Sequence, residues 1–177
     1  MISVRPYEDL AAYAVLSRLD PVDLLEAQVT RGRPTTALEM FSDWRAANGF
    51  RLASWIVFTG AGEPCALVGL SHTGQAGVAG AAMLARDHAR FRRPLAQAAS
   101  MMRSRMPAYA AETGVRRIEA RAWASHPSGC DMLARIGFRV EAVMPGFGPQ
   151  GIDRFVQYAW TAPNIPVPAP HFSEKDD

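Results

Sequence analysis

The sequence predicts an α+β domain, with a central, mostly antiparallel sheet of about six to seven strands flanked by helices. Three observations predict it. Short runs rich in β-branched and aromatic residues recur between glycine turns. One long helical segment divides these runs into two groups. The strands also lack the regular strand–helix alternation of a doubly wound parallel sheet. With 177 residues, 49% of them hydrophobic and 20% charged, the chain is about one domain long and can bury a core.

The elements follow in order. Residues 2–5 alternate as a short strand that Pro6 ends. Residues 8–19 place Leu10, Ala14 and Ser17 at helical spacing, with Tyr13 and Leu16 beside them. Asp20-Pro21 is a helix start, with aspartate as N-cap and proline in the first turn, and Gly32 and Pro34 end that helix. Thr35 or Thr36 opens another helix, through Leu38, Met40, Phe41 and Trp44 to Asn48-Gly49. Residues 52–59 and 65–71 are strands of a hairpin, and a turn at 73–77 precedes residues 78–85. That last segment is small and apolar, as a central strand covered on both faces would be; its alanines also suit a helix, but Gly77 and Gly80 argue against one.

A long helix spans about residues 90–112 and stops at Gly114. Pro107 should kink or split it, because proline has no amide hydrogen for the helical ladder. Residues 115–123 form a strand, 128–136 a helix ended by Gly137, and 138–144 and 153–160 the closing strands. The domain thus covers residues 1–161. Residues 162–177, with Pro163, Pro166, Pro168 and Pro170, form an extended or disordered arm.

Composition excludes several classes. No apolar run reaches the roughly 18 residues of a membrane span, and the first residues do not read as a signal peptide. Two cysteines, Cys65 and Cys130, are too few for a disulfide framework and lack zinc-ligand spacing, which points to a reducing, intracellular setting. Net charge is +2, yet nine arginines fall in residues 86–121 against Asp87, Glu112 and Glu119, and the only lysine is Lys175. Guanidinium suits bidentate contact with phosphate or carboxylate; a GC-rich genome gives the same bias. No basic stripe interleaved with aromatics is present, so specific nucleic-acid binding is not expected.

The order of elements resembles the acetyl-CoA-dependent N-acetyltransferase (GNAT) family. The resemblance rests on Val4-Arg5-Pro6, on the stretch 123–138 with its closing Gly137-Phe138, and on the last strand, 155–160. It implies that amides at the start of the long helix receive a cofactor pyrophosphate, and that a strand amide near Met83 and Ala85 holds the developing oxyanion. The glycine-rich loop usual there is replaced by residues 88–95, without glycine, whose bulky side chains should obstruct the backbone; Arg90, Arg92 and Arg93 are the candidate phosphate ligands, or a solvated basic turn. His126 stands where the family typically has asparagine, and Leu133 where it has the tyrosine that protonates the leaving thiolate.

Glu119 shares a strand face with Arg117, Arg121 and Trp123, and is either the general base or a rung of an ion-pair ladder. His126 and His72 are further acid–base candidates, with capping or loop roles as the alternative, and Cys130 reads better as a small core residue than as a nucleophile. No metal site is expected. Arg5-Pro6, residues 23–27, Phe91-Arg92-Arg93, Leu133 and Ile136-Gly137 resemble a GNAT-like subgroup of podophage proteins that includes internal virion proteins. Two readings stand. One is a phage or prophage assembly protein, in the host cytoplasm or a virion, docking to other virion components through its proline-rich arm. The other is an acetyl-CoA-dependent N-acetyltransferase acting on a primary amine. Fold alone does not decide between them.

Overall fold

The computed structural model describes residues 1–163, so nearly all of the proline-rich arm lies outside the described residues. Among the described residues the elements are β1 (Ser3–Pro6), α1 (Asp9–Leu16), α2 (Pro21–Arg31), α3 (Ala37–Asn48), β2 (Arg51–Phe58), β3 (Pro64–His72), β4 (Val78–Ala85), α4 (Arg92–Thr113), β5 (Arg117–Trp123), α5 (Gly129–Ile136), β6 (Arg139–Phe147) and β7 (Asp153–Thr161). The strands form one seven-stranded sheet in the order β1-β2-β3-β4-β5-β7-β6. Every neighbouring pair is antiparallel except β4 and β5, which are joined by the α4 crossover and run parallel.

Two apolar layers fix the helices to the sheet. Ala12, Val15 and Leu16 of α1, with Met40 and Trp44 of α3, bury against Ile56 and Leu67 on one face. Leu95, Ala98 and Ala99 of α4 and Ile136 of α5 cover the other, over Ala79, Ile118, Ala120 and Ala122. Leu24 and Ala27 of α2 pack on the first layer, which places α2 opposite α4 across the sheet.

Local chemistry sets the boundaries. Asp20 caps α2 by accepting the Val22 N–H at 3.0 Å, and Gly32 ends that helix at φ +66°. Thr36 rather than Thr35 caps α3, in a reciprocal box with Glu39 that holds the Glu39 carboxyl down at about 2. Pro107 does not split α4: the helix runs unbroken from Arg92 to Thr113. Pro107 is exposed, so water can serve the Arg103 carbonyl that loses its helical donor. The central strand β4 is also less covered than its composition predicts, with Ala82 exposed, because the sheet opens beside it.

Candidate functional site

The opening follows from the pairing. Val78 to Ala81 pair with Arg117 to Ala120, and there the β4–β5 ladder stops. On the far side β5 stays paired with β7 through Trp123↔Phe155. On β4, Arg86 donates its N–H to the Cys65 carbonyl at 2.9 Å, so even-numbered residues turn their backbone toward β3 and odd-numbered ones toward β5. Met83 is therefore the first residue whose amide edge faces an absent neighbour. The result is a cleft of about 1850 Å³ running through the sheet, with α2 at one mouth and the start of α4 at the other.

Side chains of α2 take over where the ladder stops. Asp23 Oδ2 accepts the Ala85 N–H at 2.7 Å, and Asp20 Oδ2 accepts the His88 N–H at 2.8 Å. One turn along, Glu26 Oε1 accepts the Trp123 N–H at 2.9 Å. Asp23 and Glu26 lie three residues apart on one helix face, so each reaches a different lip of the cleft. Asp23 Oδ1 also lies 2.9 Å from His88 Nε2 and 3.0 Å from His126 Nε2. Burial alone would raise the Asp23 pKa; the hydrogen bonds from His126 and His88 outweigh it, and the net shift is downward. Burial likewise works to lower His88, but the Asp23 hydrogen bond and the charges of Asp23, Asp20 and Asp87 win and raise it. Glu26 moves the other way from Asp23: burial raises its pKa, the Trp123 amide and then His126 oppose, the Asp23 charge adds to the rise, and the net shift is upward.

The second lip is fixed through His126. Its Nδ1 accepts the N–H of Gly129 at 2.8 Å and of Ser128 at 3.2 Å, at the start of α5. A Cβ at position 129 would stand 3.0 Å from His126 Cγ, so glycine is what lets the ring approach. With Nδ1 accepting, the proton sits on Nε2 and is donated to Asp23. Asp23, His88 and His126 bring their ligand atoms within 4.8 Å of one another, the arrangement of a cation site. Ligation through His126 Nε2 would need the proton on Nδ1, facing two N–H donors, so the donor set does not suit a metal.

The cleft gathers most of the residues singled out from sequence: Met83, Ala85, Arg92, Arg93, Glu119 and His126 line it. Arg90 does not; it pairs with Glu63 at 2.7 Å and lies over the Phe91 ring. Ala85 cannot supply an oxyanion amide, since its N–H belongs to Asp23. Glu119 Oε1 accepts from Arg117 Nε at 2.7 Å, and Arg117 also grips Glu141, whereas Arg121 turns to Gln157. His72 is exposed and outside the cleft lining. The expected obstruction ahead of α4 is absent: Phe91 is 3% exposed and packs downward with Leu95 and Ala98. The N-terminus of α4 carries no side-chain cap and no acidic residue, and Arg92 and Arg93 are exposed beside it. The sequence pattern does not mark Asp23, Glu26 and His88 as site residues; only the packing of α2 brings them to the cleft.

No family model and no curated protein matches the chain. Solved structures do. An acetyltransferase of the GNAT family from Bacillus anthracis superposes with a TM-score of 0.69 at 14% identity, covering 90% of this chain and 94% of that one. The ribosomal-protein-S18-alanine N-acetyltransferase from Escherichia coli gives 0.66 at 14% identity over 96% and 99%. A GNAT superfamily phosphinothricin acetyltransferase from Sinorhizobium meliloti, in complex with AcCoA, gives 0.66 at 14% identity over 97% and 94%. This chain has the GNAT acetyltransferase fold. At such identities the likeness is one of fold. Among the described residues, no helix is long and apolar enough to cross a membrane.

Proposed function

We propose that the protein is an acetyl-CoA-dependent N-acetyltransferase acting on a primary amine. The observation that carries this reading is the parting of β4 from β5 above a helix start without a side-chain cap: an open strand edge at Met83 leads to the first turn of α4, where Arg92 and Arg93 offer backbone N–H groups and guanidinium side chains and Pro94 offers no N–H. Acetyl-CoA bound there would supply an activated acetyl thioester. Met83 would hold the extended arm of the cofactor by its backbone, and the helix dipole with the two guanidinium groups would hold its phosphates. The α2 mouth, lined by Asp23 and Glu26, favours an acceptor that arrives as a cation.

A virion assembly role finds no support in the structural likenesses. The missing loop glycines, one of the departures that suggested it, have a local explanation in the inward-packed Phe91. Calorimetric titration of the full chain with acetyl-CoA tests the enzyme reading. Micromolar binding is expected, weakened about 100-fold or more in Arg92→Ala/Arg93→Ala, at a loss of about 1.5–3 kcal/mol per charged contact. No binding at millimolar ligand would end it.

A further inference from the structure

The two carboxylates of α2 differ in what they have left to accept. Asp23 is filled: it takes the Ala85 amide on one oxygen and both imidazoles on the other. Glu26 is half filled. Trp123 N–H fixes Oε1, while among the described residues no hydrogen bond reaches Oε2: His126 Nε2 stands 3.8 Å from it and already donates to Asp23. The side chain is 22% exposed and lines the α2 mouth of the cleft. Glu119 also lines the cleft with one oxygen bonded, but its Oε1 is held by a cation, Arg117, which Glu141 grips in turn, whereas Glu26 has only a neutral amide for a partner.

We propose that Glu26 is the catalytic residue that binds the acceptor as an alkylammonium ion and takes its proton. This deepens the transferase reading and rests on it. Oε2 accepts an N–H of the ammonium group; the N–H bond breaks toward Glu26, an O–H bond forms, and a neutral amine with a free lone pair faces the cleft beside a neutral carboxylic acid. No further reactant is needed for that step. The groups facing Glu26 are consistent with it. From its own helix comes the Asp23 carboxylate, from the β5–α5 connection the Trp123 amide and His126, and from the β4–α4 connection His88, held away by Asp23. Burial and the neighbouring Asp23 charge raise its pKa, which suits a group that must hold a proton transiently near neutral pH. His126 and Asp23 are positioning residues: they keep the lips apart and leave Oε2 unclaimed.

The test uses the full chain with carboxyl-labelled glutamate, followed by NMR. Glu26 is expected to titrate above the ordinary carboxylate range. Butylammonium should move its signal while butanol does not, and Glu26→Gln, which keeps an acceptor for Trp123, should weaken butylammonium about tenfold or more. An ordinary titration of Glu26, or a butylammonium response confined to Glu119 and abolished by Glu119→Gln, would overturn the assignment. Acetyl-CoA titration of wild type and Glu26→Gln is run in parallel, and equal affinities are expected. Failure of the wild type to bind acetyl-CoA would sink the transferase reading, whereas the amine titration decides Glu26 separately.

Discussion

The β4–β5 pair is held in two different ways along its length. Over residues 78–81 and 117–120 the strands share a backbone ladder, and the side-chain network there, Arg117 with Glu119 and Glu141, joins β5 to β6 and leaves β4 to the backbone. Beyond Ala81 and Ala120 the ladder is gone, and α2 carboxylates carry the amides of Ala85 and Trp123 instead. A ladder closes the sheet. Side chains from a third element satisfy the same buried donors while leaving an opening between the strands. The two ends should therefore differ in their sensitivity to substitution.

The largest effect belongs to Asp23. Asp23→Ala would leave the Ala85 N–H and His88 without their acceptor, a loss of about 3–5 kcal/mol for a broken buried pair. In a chain of this size that is roughly 2–4 °C of melting temperature per kcal/mol, read by calorimetry. A loss under about 1 kcal/mol would mean that the open end does not depend on α2.

A smaller effect is pH dependence. The folded Asp23 pKa is depressed, so its contribution is present above the unfolded value of about 3.9 and is lost as pH falls through the lower folded value. The folded His88 pKa is raised, so its contribution is full below the unfolded value of about 6.5 and is lost as pH rises through the higher folded value. Urea midpoints should therefore decline on the alkaline side in wild type, and His88→Gln should flatten that decline. An unchanged alkaline slope in the variant would show that His88 does not carry the decline.

The smallest effect is at the closed end. Arg117→Gln should cost less than about 1 kcal/mol, because Glu141 is exposed, Glu119 is partly exposed and the backbone already holds the strands. A loss matching that of Asp23→Ala would erase the difference between the ends.

Much of the fold was legible because it is local. The Asp20 cap, the glycine stops at Gly32, Gly114 and Gly137, and the small residues of β4 each announce an element within a few positions. Glu119 is legible for the same reason, sitting two residues from Arg117 in a strand. The α2 bridge was not legible. Asp23 meets Ala85 across 62 residues and His126 across 103, and Glu26 meets Trp123 across 97. From sequence, residues 23 and 26 are two acids on an ordinary helix. Only the packing of α2 against the sheet turns that spacing into a span between two strand ends. The inward rotation of Phe91 is equally a tertiary outcome: a bulky residue where glycine is usual reads as an obstruction until its ring is seen beneath α4.

Amide hydrogen exchange, with and without acetyl-CoA, reads the cleft and its α2 bridge together. Ala85 and Trp123 should exchange slowly in both conditions, held by Asp23 and Glu26, while Met83 exchanges fast alone and slows when ligand is added. Exchange at Ala85 as fast as at Met83, or a Met83 amide indifferent to acetyl-CoA, would contradict an acetyl-CoA cleft bridged by α2.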